Sequence, residues 1–386
     1  MITGIIAEYN IFHNGHKYQI DEVKKQSDYV VSVMSGSFVQ RGDVAITDNW
    51  SRAKSALLCG ADLVLELPVC FSLNAAQNFA SGGINTLNAL GIIDSVAFGS
   101  ECGDINSLTE TARIMENENS VVSENIQSLI SSGINYPSAL SKAYENKIAH
   151  DILTLPNNIL AIEYIRALIR TNSSIRPVTI QRANAKHNDN EIHNNFTSAS
   201  KIREMIMNGE NIDALIPYNL SDIGGFFPYC VSRLDSAVIS KLRLSGAEQI
   251  SSINEVTEGL ENRIIQSAME TDSFSSLCKS VKSKRYTMSK IRRSILASLL
   301  DFTKDIYKPM PEYIRVLGMN KNGMEILKKA KKHCSLPIIT KAADFKEKSR
   351  QFELDIRATD TAALCSPDKA KRCGGTDFKN SPIILN

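Results

Sequence analysis

The sequence lacks long apolar runs and an excess of charge of one sign. No apolar stretch approaches the ~20 residues that a membrane-spanning helix needs, and the first residues lack the cationic head and long apolar run of a secretion signal. We therefore expect a cytoplasmic protein with no membrane partner. Lys and Arg number 44 against 42 Asp and Glu, so a net charge of +2 excludes a wholly cationic nucleic-acid wrapper. Any contact with a polyanion must come from a local patch.

Closely spaced cysteines are also missing. The eight cysteines include no C-x-x-C pair and none has a histidine at zinc-ligand spacing, so we expect buried free thiols and no metal held by protein side chains. They are Cys59, Cys70, Cys102, Cys230, Cys278, Cys334, Cys365 and Cys373. Cys365 and Cys373 lie in a polar tail without a nearby histidine, which is a poor basis for a metal site.

The length and composition indicate a globular protein with a substantial core. The chain has 386 residues, of which 43% are hydrophobic and 22% charged, and this excludes disordered, collagenous and fibrous classes. Its length favours two domains, or one large domain with an appendage.

The first hundred residues alternate strand-like and helix-like segments, which predicts an α/β fold with a Rossmann-like parallel sheet. The predicted strands are 2–7, 29–34, 62–67 and 95–98, and the predicted helices 15–26, 49–59 and 75–90. Residues 105–171 read as mostly helical, and 178–181 as a strand that closes the sheet.

A helix over 198–208 follows, and strand signals fade after Pro217. We therefore place a domain boundary near residue 210. Residues 1–210 form the predicted sheet domain and 211–386 a mostly helical C-terminal domain.

The most informative segment is AEYNIFHNGH, where the first strand ends and the first helix begins. Ligands of open parallel sheets bind at this position because helix N-termini present free amides there. His13 and His16 lie on one face of the opening turn and can donate hydrogen bonds to phosphate oxygens. Gly15 between them leaves the backbone open to a nucleotide. The pattern suits adenylyl transfer, in which the protein positions an in-line attack at the α-phosphate.

A second interpretation is two surface histidines in a loop. The later segment SASKIR favours the functional one, because Ser198 at a helix N-terminus and Arg203 can bind phosphates. Alone, SASKIR would indicate only the start of a helix.

These residues resemble the bacterial tRNA(Met) cytidine acetate ligases, an H-x-G-H nucleotidyltransferase-like family. The resemblance rests on EYNIFHNGH, MSGSFVQRGD, GADLVLELP, FGSECGD, LPNNILAIEY and SKRYTMSKIRR, which follow one another along most of the chain. It implies that residues 1–210 are an ATP-binding catalytic domain. The implied activity is ATP-dependent activation of acetate to acetyl-adenylate, then acetyl transfer to N4 of the wobble cytidine of elongator tRNA(Met). Mg²⁺ is expected to accompany ATP.

The resemblance also implies an ATP site with His13 and His16 as catalytic residues at the phosphates. Gly99 would let the backbone approach the nucleotide. The predicted ATP-binding residues are Ile6, Ala7, Glu8, Tyr9, Asn10, Ile11, Phe12, His13, Asn14, Gly15, His16, Lys17, Tyr18, Gln19, Gly99, Asn157, Asn158, Arg182, Ser198 and Arg203. Gln40, Arg41 and Asp43 either contact the acetyl or cytidine side or form a surface turn, and both interpretations stay open.

Three positions depart from the family pattern. Ile11 stands where proline is usual, which loosens the loop before His13. Ala161 replaces a usual glycine. Asn49 stands where lysine is expected, so a phosphate contact from that position is in doubt.

Residues 284–293 form a basic segment that leads into a helix predicted from about Thr287. Met288, Ile291 and Ile295 form the apolar stripe of that helix. A basic face of this kind is usually solvated, but it also suits an RNA backbone, and the resemblance favours tRNA. The predicted tRNA-binding residues are Lys284, Arg285, Tyr286, Lys290, Arg292 and Arg293, with Tyr286 stacking on a base.

Two alternatives remain. A small-molecule adenylyltransferase on the same scaffold would leave the basic segment unexplained. An RNA-binding protein with a vestigial nucleotide site is disfavoured by the intact His13, Gly15, His16 and Arg203.

Overall fold

The computed structural model describes residues 1–117, 120–145, 148, 150–182, 192, 195–226, 228–257 and 259–386. The strands are β1 Ile2–Ala7, β2 Tyr29–Ser35, β3 Phe38–Val39, β4 Asp43–Val44, β5 Leu63–Leu67, β6 Ser95–Ser100, β7 Arg176–Gln181, β8 Ile314–Met319, β9 Ile338–Ile339 and β10 Ile383–Ile384. The helices are α1 Asn14–Lys24, α2 Asn49–Leu58, α3 Val69–Ser72, α4 Ala76–Leu90, α5 Ile105–Glu116, α6 Ser120–Ser131, α7 Tyr136–Ala143, α8 His150–Thr154, α9 Pro156–Arg170, α10 Ala199–Met207, α11 Asp235–Leu244, α12 Ala247–Ser251, α13 Leu260–Glu270, α14 Phe274–Val281, α15 Met288–Leu299, α16 Lys321–Ala330, α17 Arg350–Ala363 and α18 Thr376–Lys379.

Eight of these strands form one sheet, in the order β10-β8-β5-β2-β1-β6-β7 with β9 also paired to β8. The predicted parallel sheet is confirmed: β1 is hydrogen-bonded to β2 on one side and to β6 on the other, in parallel. The chain winds outward from β1 in both directions, so a crevice opens between the carboxyl ends of β1 and β6. As predicted, β7 closes the sheet, beside β6.

The apolar residues of the predicted strands and helices form the core between the sheet and the helices that cover it. Strand residues such as Ile5, Val31 and Leu65 are fully buried, and α9 packs against α4 and α5. Each predicted helix in the first 210 residues that has a named range is present, with ends within about two residues of the prediction.

The C-terminal half contains three strands that the sequence does not predict. β8 pairs antiparallel with β5, and β9 and β10 pair with β8, so chain from beyond residue 210 extends the sheet of the first half. The expectation that strand signals fade after Pro217 is wrong at this point. Arg315 interrupts the apolar run of β8, but it is buried and ion-paired with Glu66 and Asp377. The boundary near residue 210 stays a prediction.

Helices dominate the rest of the C-terminal half, as predicted. α15 begins after Thr287, whose hydroxyl accepts from the Lys290 amide at 3.3 Å. Ile291 and Ile295 are fully buried, whereas Met288, predicted in the same stripe, is 37% exposed because it lies at the first turn of the helix.

All eight cysteines are free, and Cys59, Cys70, Cys278 and Cys365 are buried; Cys373 is exposed. Among the described residues no helix combines the length and the apolar character that a bilayer span requires.

Candidate active site

The two histidines of the H-x-G-H motif form the N-terminal cap of α1. The Nδ1 atom of His13 accepts from the Gly15 amide at 3.0 Å, and Nδ1 of His16 accepts from the His13 amide at 3.3 Å. The two rings stack with centroids 4.0 Å apart. Because each Nδ1 is an acceptor, the ring proton of each neutral histidine lies on Nε2, which is left to donate.

Both histidines are held neutral by their surroundings. Burial is the main cause that lowers the pKa of His13 to about 3, and the positive charges of Arg182 and Arg203 add to it. Burial, then His13 and Arg182, lowers the pKa of His16 well below its usual value. Each ring therefore carries a neutral N–H donor near Arg182, and of the two rings His16 lines the cleft described below whereas His13 does not.

Gly15 has a packing role that the sequence reading did not identify. A Cβ atom added there would lie 2.8 Å from Cε1 of His13. A side chain at position 15 would therefore push the His13 ring out of its capping position.

A cleft of about 290 Å³ opens beside this cap, at the carboxyl ends of β1 and β6. This is the crevice that the strand order creates. Its lining residues are Ile6, Ala7, Glu8, His16, Gln19, Gln40, Arg41, Ala76, Phe79, Phe98, Gly99, Pro156, Asn157, Leu160, Tyr164 and Arg182.

The lining is divided between apolar and polar groups. Ile6, Phe79, Phe98, Leu160 and Tyr164 supply an apolar wall, and the polar remainder contains two arginines, a histidine and three amides. Such a combination suits a nucleotide, with an apolar surface for the base and cationic donors for the phosphates.

Gly99 borders the cleft without being required by the protein's own packing. A Cβ there would approach no atom closer than Cγ of Arg182, at 3.5 Å, which is an ordinary contact. The space over Gly99 is therefore open on the side of the cleft.

Glu101, which the sequence reading missed, fixes the N-terminus of α9. Its carboxylate accepts from the Asn157 amide at 3.1 Å and from the Asn158 amide at 2.8 Å, and also from Nδ2 of Asn157. Oδ1 of Asn157 in turn accepts from Arg182 at 3.2 Å. Asn158 is buried, and its Oδ1 accepts from the Glu101 and Cys102 amides. Asn157 and Arg182 thus face the cleft, while Asn158 supports them from inside the protein.

Other residues of the predicted ATP segment lie away from the cleft. Tyr9, Asn10, Ile11 and Phe12 are buried, with the Tyr9 hydroxyl 3.1 Å from Ser32 Oγ. Oδ1 of Asn10 accepts from the Ile46 amide at 2.7 Å.

On the first turns of α1, three further predicted residues contact protein. Nδ2 of Asn14 donates to the carbonyl oxygens of Asn195 and Ala214, both at 2.9 Å. Lys17 is paired with Asp21, and the Tyr18 ring packs edge-on near Phe196. These residues shape the loop and helix that carry the histidines.

Ser198 and Arg203 support the motif from α10. The Ser198 hydroxyl caps α10 by accepting from the Lys201 amide at 3.1 Å. The Arg203 guanidinium donates to the Asn10 carbonyl and, at 3.1 Å, to Ser200 Oγ. Neither residue lines the cleft, but the charge of Arg203 reaches both His13 and Glu8.

A turn between β3 and β4 forms another wall of the cleft through Gln40 and Arg41. The Gln40 amide donates to Oε1 of Glu8 at 2.9 Å, and Arg41 donates to Ser200 Oγ at 3.2 Å. Burial raises the pKa of Glu8, although Arg203 and Arg41 oppose the shift. Asp43 does not line the cleft and is paired with Arg292.

Arg52 is a second residue that sequence reasoning missed. It is 1% exposed and donates to four main-chain carbonyls, those of Glu8, Ser35, Gly36 and Thr47. It therefore joins the end of β1 to the end of β2. A lone arginine on an amphipathic helix gives no sequence signal for such a role, because most arginines are exposed.

The three departures from the family pattern are all buried. Asn49 donates from Nδ2 to Glu66 Oε1 at 2.8 Å and accepts from Arg52 at 2.9 Å, so it belongs to an internal network. Ile11 packs in an apolar cluster with Ile46 and Ile202. Nothing in the structure assigns Ala161 a function beyond core packing.

The basic segment is only partly exposed. Lys284 is exposed and Arg285 and Lys290 are half-buried, with Nζ of Lys290 donating to Thr257 Oγ1 at 3.1 Å. The Tyr286 ring is 8% exposed and its hydroxyl donates to the Thr257 carbonyl at 3.2 Å. Base stacking by Tyr286 would therefore require the segment to move.

The last two basic residues point into the protein. Arg292 donates hydrogen bonds to the Gly42 carbonyl and the Asp43 carboxylate. Arg293 donates to the Gln40 carbonyl and the Glu255 carboxylate. Among the described residues no group of three or more His, Cys, Asp or Glu side chains is arranged to hold a metal ion.

Comparison with known proteins identifies the family. The model of the HIGH nucleotidyl transferase family matches residues 1–377. Curated proteins named tRNA(Met) cytidine acetate ligase are similar over the whole chain: the Thermoanaerobacter sp. (strain X514) protein is 41% identical and the Acetivibrio thermocellus protein 38%, each with 100% of both chains covered.

Two solved structures are also similar over 100% of this chain and 99% of theirs. They are Thermotoga maritima TmcAL bound with alpha-thio ATP, at a TM-score of 0.90, and its apo form, at 0.92, both 32% identical. The chain therefore belongs to the HIGH nucleotidyl transferases and is an enzyme of the tRNA(Met) cytidine acetate ligase family.

Proposed function

We propose that the protein activates acetate with ATP and transfers the acetyl group to N4 of the wobble cytidine of elongator tRNA(Met). The observation that supports this most directly is the cleft itself: two neutral histidines cap the helix at the end of β1, beside Arg41 and Arg182, at the switch point of the sheet. The names of the full-length relatives supply the acetate and the tRNA.

The first step is adenylyl transfer. An acetate oxygen attacks the α-phosphorus of ATP, a P–O bond forms to give acetyl-adenylate, and the bond to pyrophosphate breaks. The Nε2–H of His16, Arg41 and Arg182 donate to phosphate oxygens on which negative charge accumulates. His13 holds His16 in place by stacking and by its main-chain amide. Mg²⁺ accompanying ATP would neutralise part of the charge of the phosphates, and no cluster of His, Cys, Asp or Glu among the described residues is arranged to hold it.

The second step is acyl transfer to the RNA. The cytidine N4 attacks the acetyl carbon, AMP leaves with the electron pair of the broken C–O bond, and N4 loses a proton. Glu8 is the one carboxylate among the described residues that line the cleft. Glu8 accepts a hydrogen bond from the Gln40 amide, which joins the end of β1 to the neighbouring turn. The N4 proton passes to Glu8 or to the leaving phosphate.

The tRNA approaches, in this proposal, over the accessible part of the basic segment. Lys284 is exposed and Arg285 and Lys290 are half-buried, whereas Arg292, also half-buried, is ion-paired with Asp43. Cations of this kind orient an RNA backbone, whereas the choice of the wobble cytidine depends on contacts with unstacked bases.

The experiment is acetate-dependent exchange of labelled pyrophosphate into ATP without RNA. We expect exchange in the wild type and its loss in His16→Ala. His333→Ala is the matched control, since His333 is exposed and lies outside the cleft, and it should exchange like the wild type. Wild-type exchange in His16→Ala would refute the assignment of the site. Exchange that depends on another small-molecule acceptor, with none for acetate, would favour a small-molecule adenylyltransferase.

A further inference from the structure

We propose that Arg292 and Arg293 are positioning residues for the nucleotide cleft, which act through the turn that contains Gln40 and Arg41. Both arginines lie in the basic segment that the sequence predicts to bind RNA. The inference rests on the proposed ATP site.

The first observation is where the two guanidinium groups are bound. Arg293 is 8% exposed, and it donates from Nη1 to the Gln40 carbonyl at 2.9 Å and from Nε to Glu255 at 2.8 Å. Arg292 donates from Nε to the Gly42 carbonyl at 2.8 Å and forms an ion pair with Asp43. Arg293 is buried and Arg292 is half-buried, and guanidinium groups that already donate to protein acceptors are poorly placed to neutralise an RNA phosphate.

The second observation is how closely α15 approaches the turn. Gly42 has a φ of +75°, and a Cβ atom added there would lie 2.6 Å from Cβ of Arg292 and 2.7 Å from the Arg293 amide nitrogen. Only glycine fits this position without strain, both in conformation and in space. The turn is therefore built to dock on α15.

The third observation is what the turn holds on its other side. The Gln40 amide donates to Glu8, at the end of β1, and Arg41 donates to Ser200 on α10. Gln40, Arg41 and Glu8 all line the cleft. The carbonyl of Gln40 is held by Arg293 while its amide holds Glu8, so a shift of the turn moves a cationic wall of the cleft and a carboxylate together.

α15 thus reaches the nucleotide cleft from the C-terminal half of the chain. The consequence is that part of the basic segment acts on the adenylation step, before any RNA is bound. Lys284 and Arg285, which precede α15, and Lys290 on its first turn remain the RNA-facing part.

The test separates nucleotide binding from RNA binding in the full-length chain. ATP affinity is measured by isothermal titration calorimetry without acetate or RNA, and affinity for a tRNA(Met) transcript by fluorescence anisotropy. We expect Arg293→Gln and Arg292→Gln to weaken ATP binding on the order of tenfold, the effect of one lost charged hydrogen bond, with tRNA affinity like that of the wild type. In pyrophosphate exchange the KM for ATP should rise more than kcat falls.

The matched control is Arg263→Gln. Arg263 also donates to main-chain carbonyls of the C-terminal half, those of Ser280, Val281 and Lys282, but it does not contact the turn. It should lower the melting temperature and leave the ATP affinity unchanged. An equal loss of ATP affinity in Arg263→Gln would show general destabilisation and overturn the inference.

Asp43→Asn removes the ion pair with Arg292 from the side of the turn. Because the Asp43 side chain is 39% exposed, this variant should fold even if the arginine variants do not. It should weaken ATP binding as Arg292→Gln does, and the double variant should be less than additive. Wild-type ATP affinity in Asp43→Asn and in the folded arginine variants, with weaker tRNA binding, would overturn the inference. A wild-type protein that binds no ATP would instead refute the proposed function.

Discussion

Replacing Arg52 with methionine should destabilise the protein severely, because the side chain satisfies four main-chain carbonyls at once. Its donor distances are 2.9 Å to Glu8 and Ser35, 3.2 Å to Thr47 and 2.5 Å to Gly36. Each buried acceptor left without a partner costs about 1–3 kcal/mol, so the sum is about 4 kcal/mol or more. That is a large fraction of the roughly 5–15 kcal/mol by which native proteins are stable.

Arg52→Lys separates the charge from the hydrogen-bond geometry. A lysine keeps the positive charge, but a single ammonium cannot span the ends of β1 and β2 as a guanidinium does. Since one of the acceptors is the carbonyl of Glu8, we expect Arg52→Lys to lose stability and also to weaken ATP binding.

The assay is equilibrium unfolding in urea, followed by circular dichroism, with Lys54→Met as control. Lys54 lies on the same helix, two residues on, and is half-buried. A loss of less than about 1 kcal/mol in Arg52→Met, with an unchanged denaturant slope, would show that the four carbonyls find other partners and that Arg52 does not hold the strand ends together.

Three further predictions concern the cleft and the basic segment. Glu101→Ala should raise the KM for ATP by about tenfold, because Asn157 and through it Arg182 lose their support; an unchanged KM would show that Arg182 is positioned otherwise. His13 has a folded pKa of about 3 against 6.5, so the unfolded chain binds the proton first and stability is lost as the pH falls below about 6.5. His13→Asn, which keeps a capping acceptor, should show a flatter decline of melting temperature from pH 7 to 4, and a parallel decline would contradict this. Lys284→Ala and Arg285→Ala should each lower the slope of log tRNA affinity against log salt by about 0.7, and unchanged slopes would place the RNA elsewhere.

Much of the fold could be predicted because its signals are local. Periodicity predicts β1, β2 and β5 from their apolar runs. Pro68 and Gly91 are turn residues that follow the ends of β5 and α4. β8 was not predicted because Arg315 interrupts its apolar run with a charge. That charge is explained by its buried partners, Glu66 and Asp377. Those partners lie far away in sequence, so no window could contain the signal.

The candidate site was partly predictable for the same reason. His13, Gly15 and His16 lie within one helical turn, so their spacing predicts that both rings share one face at the start of α1, whereas their role as helix caps is seen only in the structure. The resemblance to the family added Gly99, Asn157 and Arg182, which line or border the cleft from other strands and helices.

The predicted roles of several other residues do not match their burial in the folded chain. Tyr9 and Phe12 belong to the motif but serve the core, because both rings are buried in the apolar cluster under β1. Arg293 reads as an RNA contact in the sequence, yet its partners are Gln40 and Glu255. A sequence shows charge, but the partner that neutralises it is a property of the folded chain.

The proposed acetyl transfer is tested with labelled acetate and purified elongator tRNA(Met), with the labelled nucleoside identified after digestion. We expect ATP-dependent label in N4-acetylcytidine at the wobble position, with release of pyrophosphate, and none with His16→Ala. Label that appears without ATP, or pyrophosphate release with no label on RNA, would contradict it.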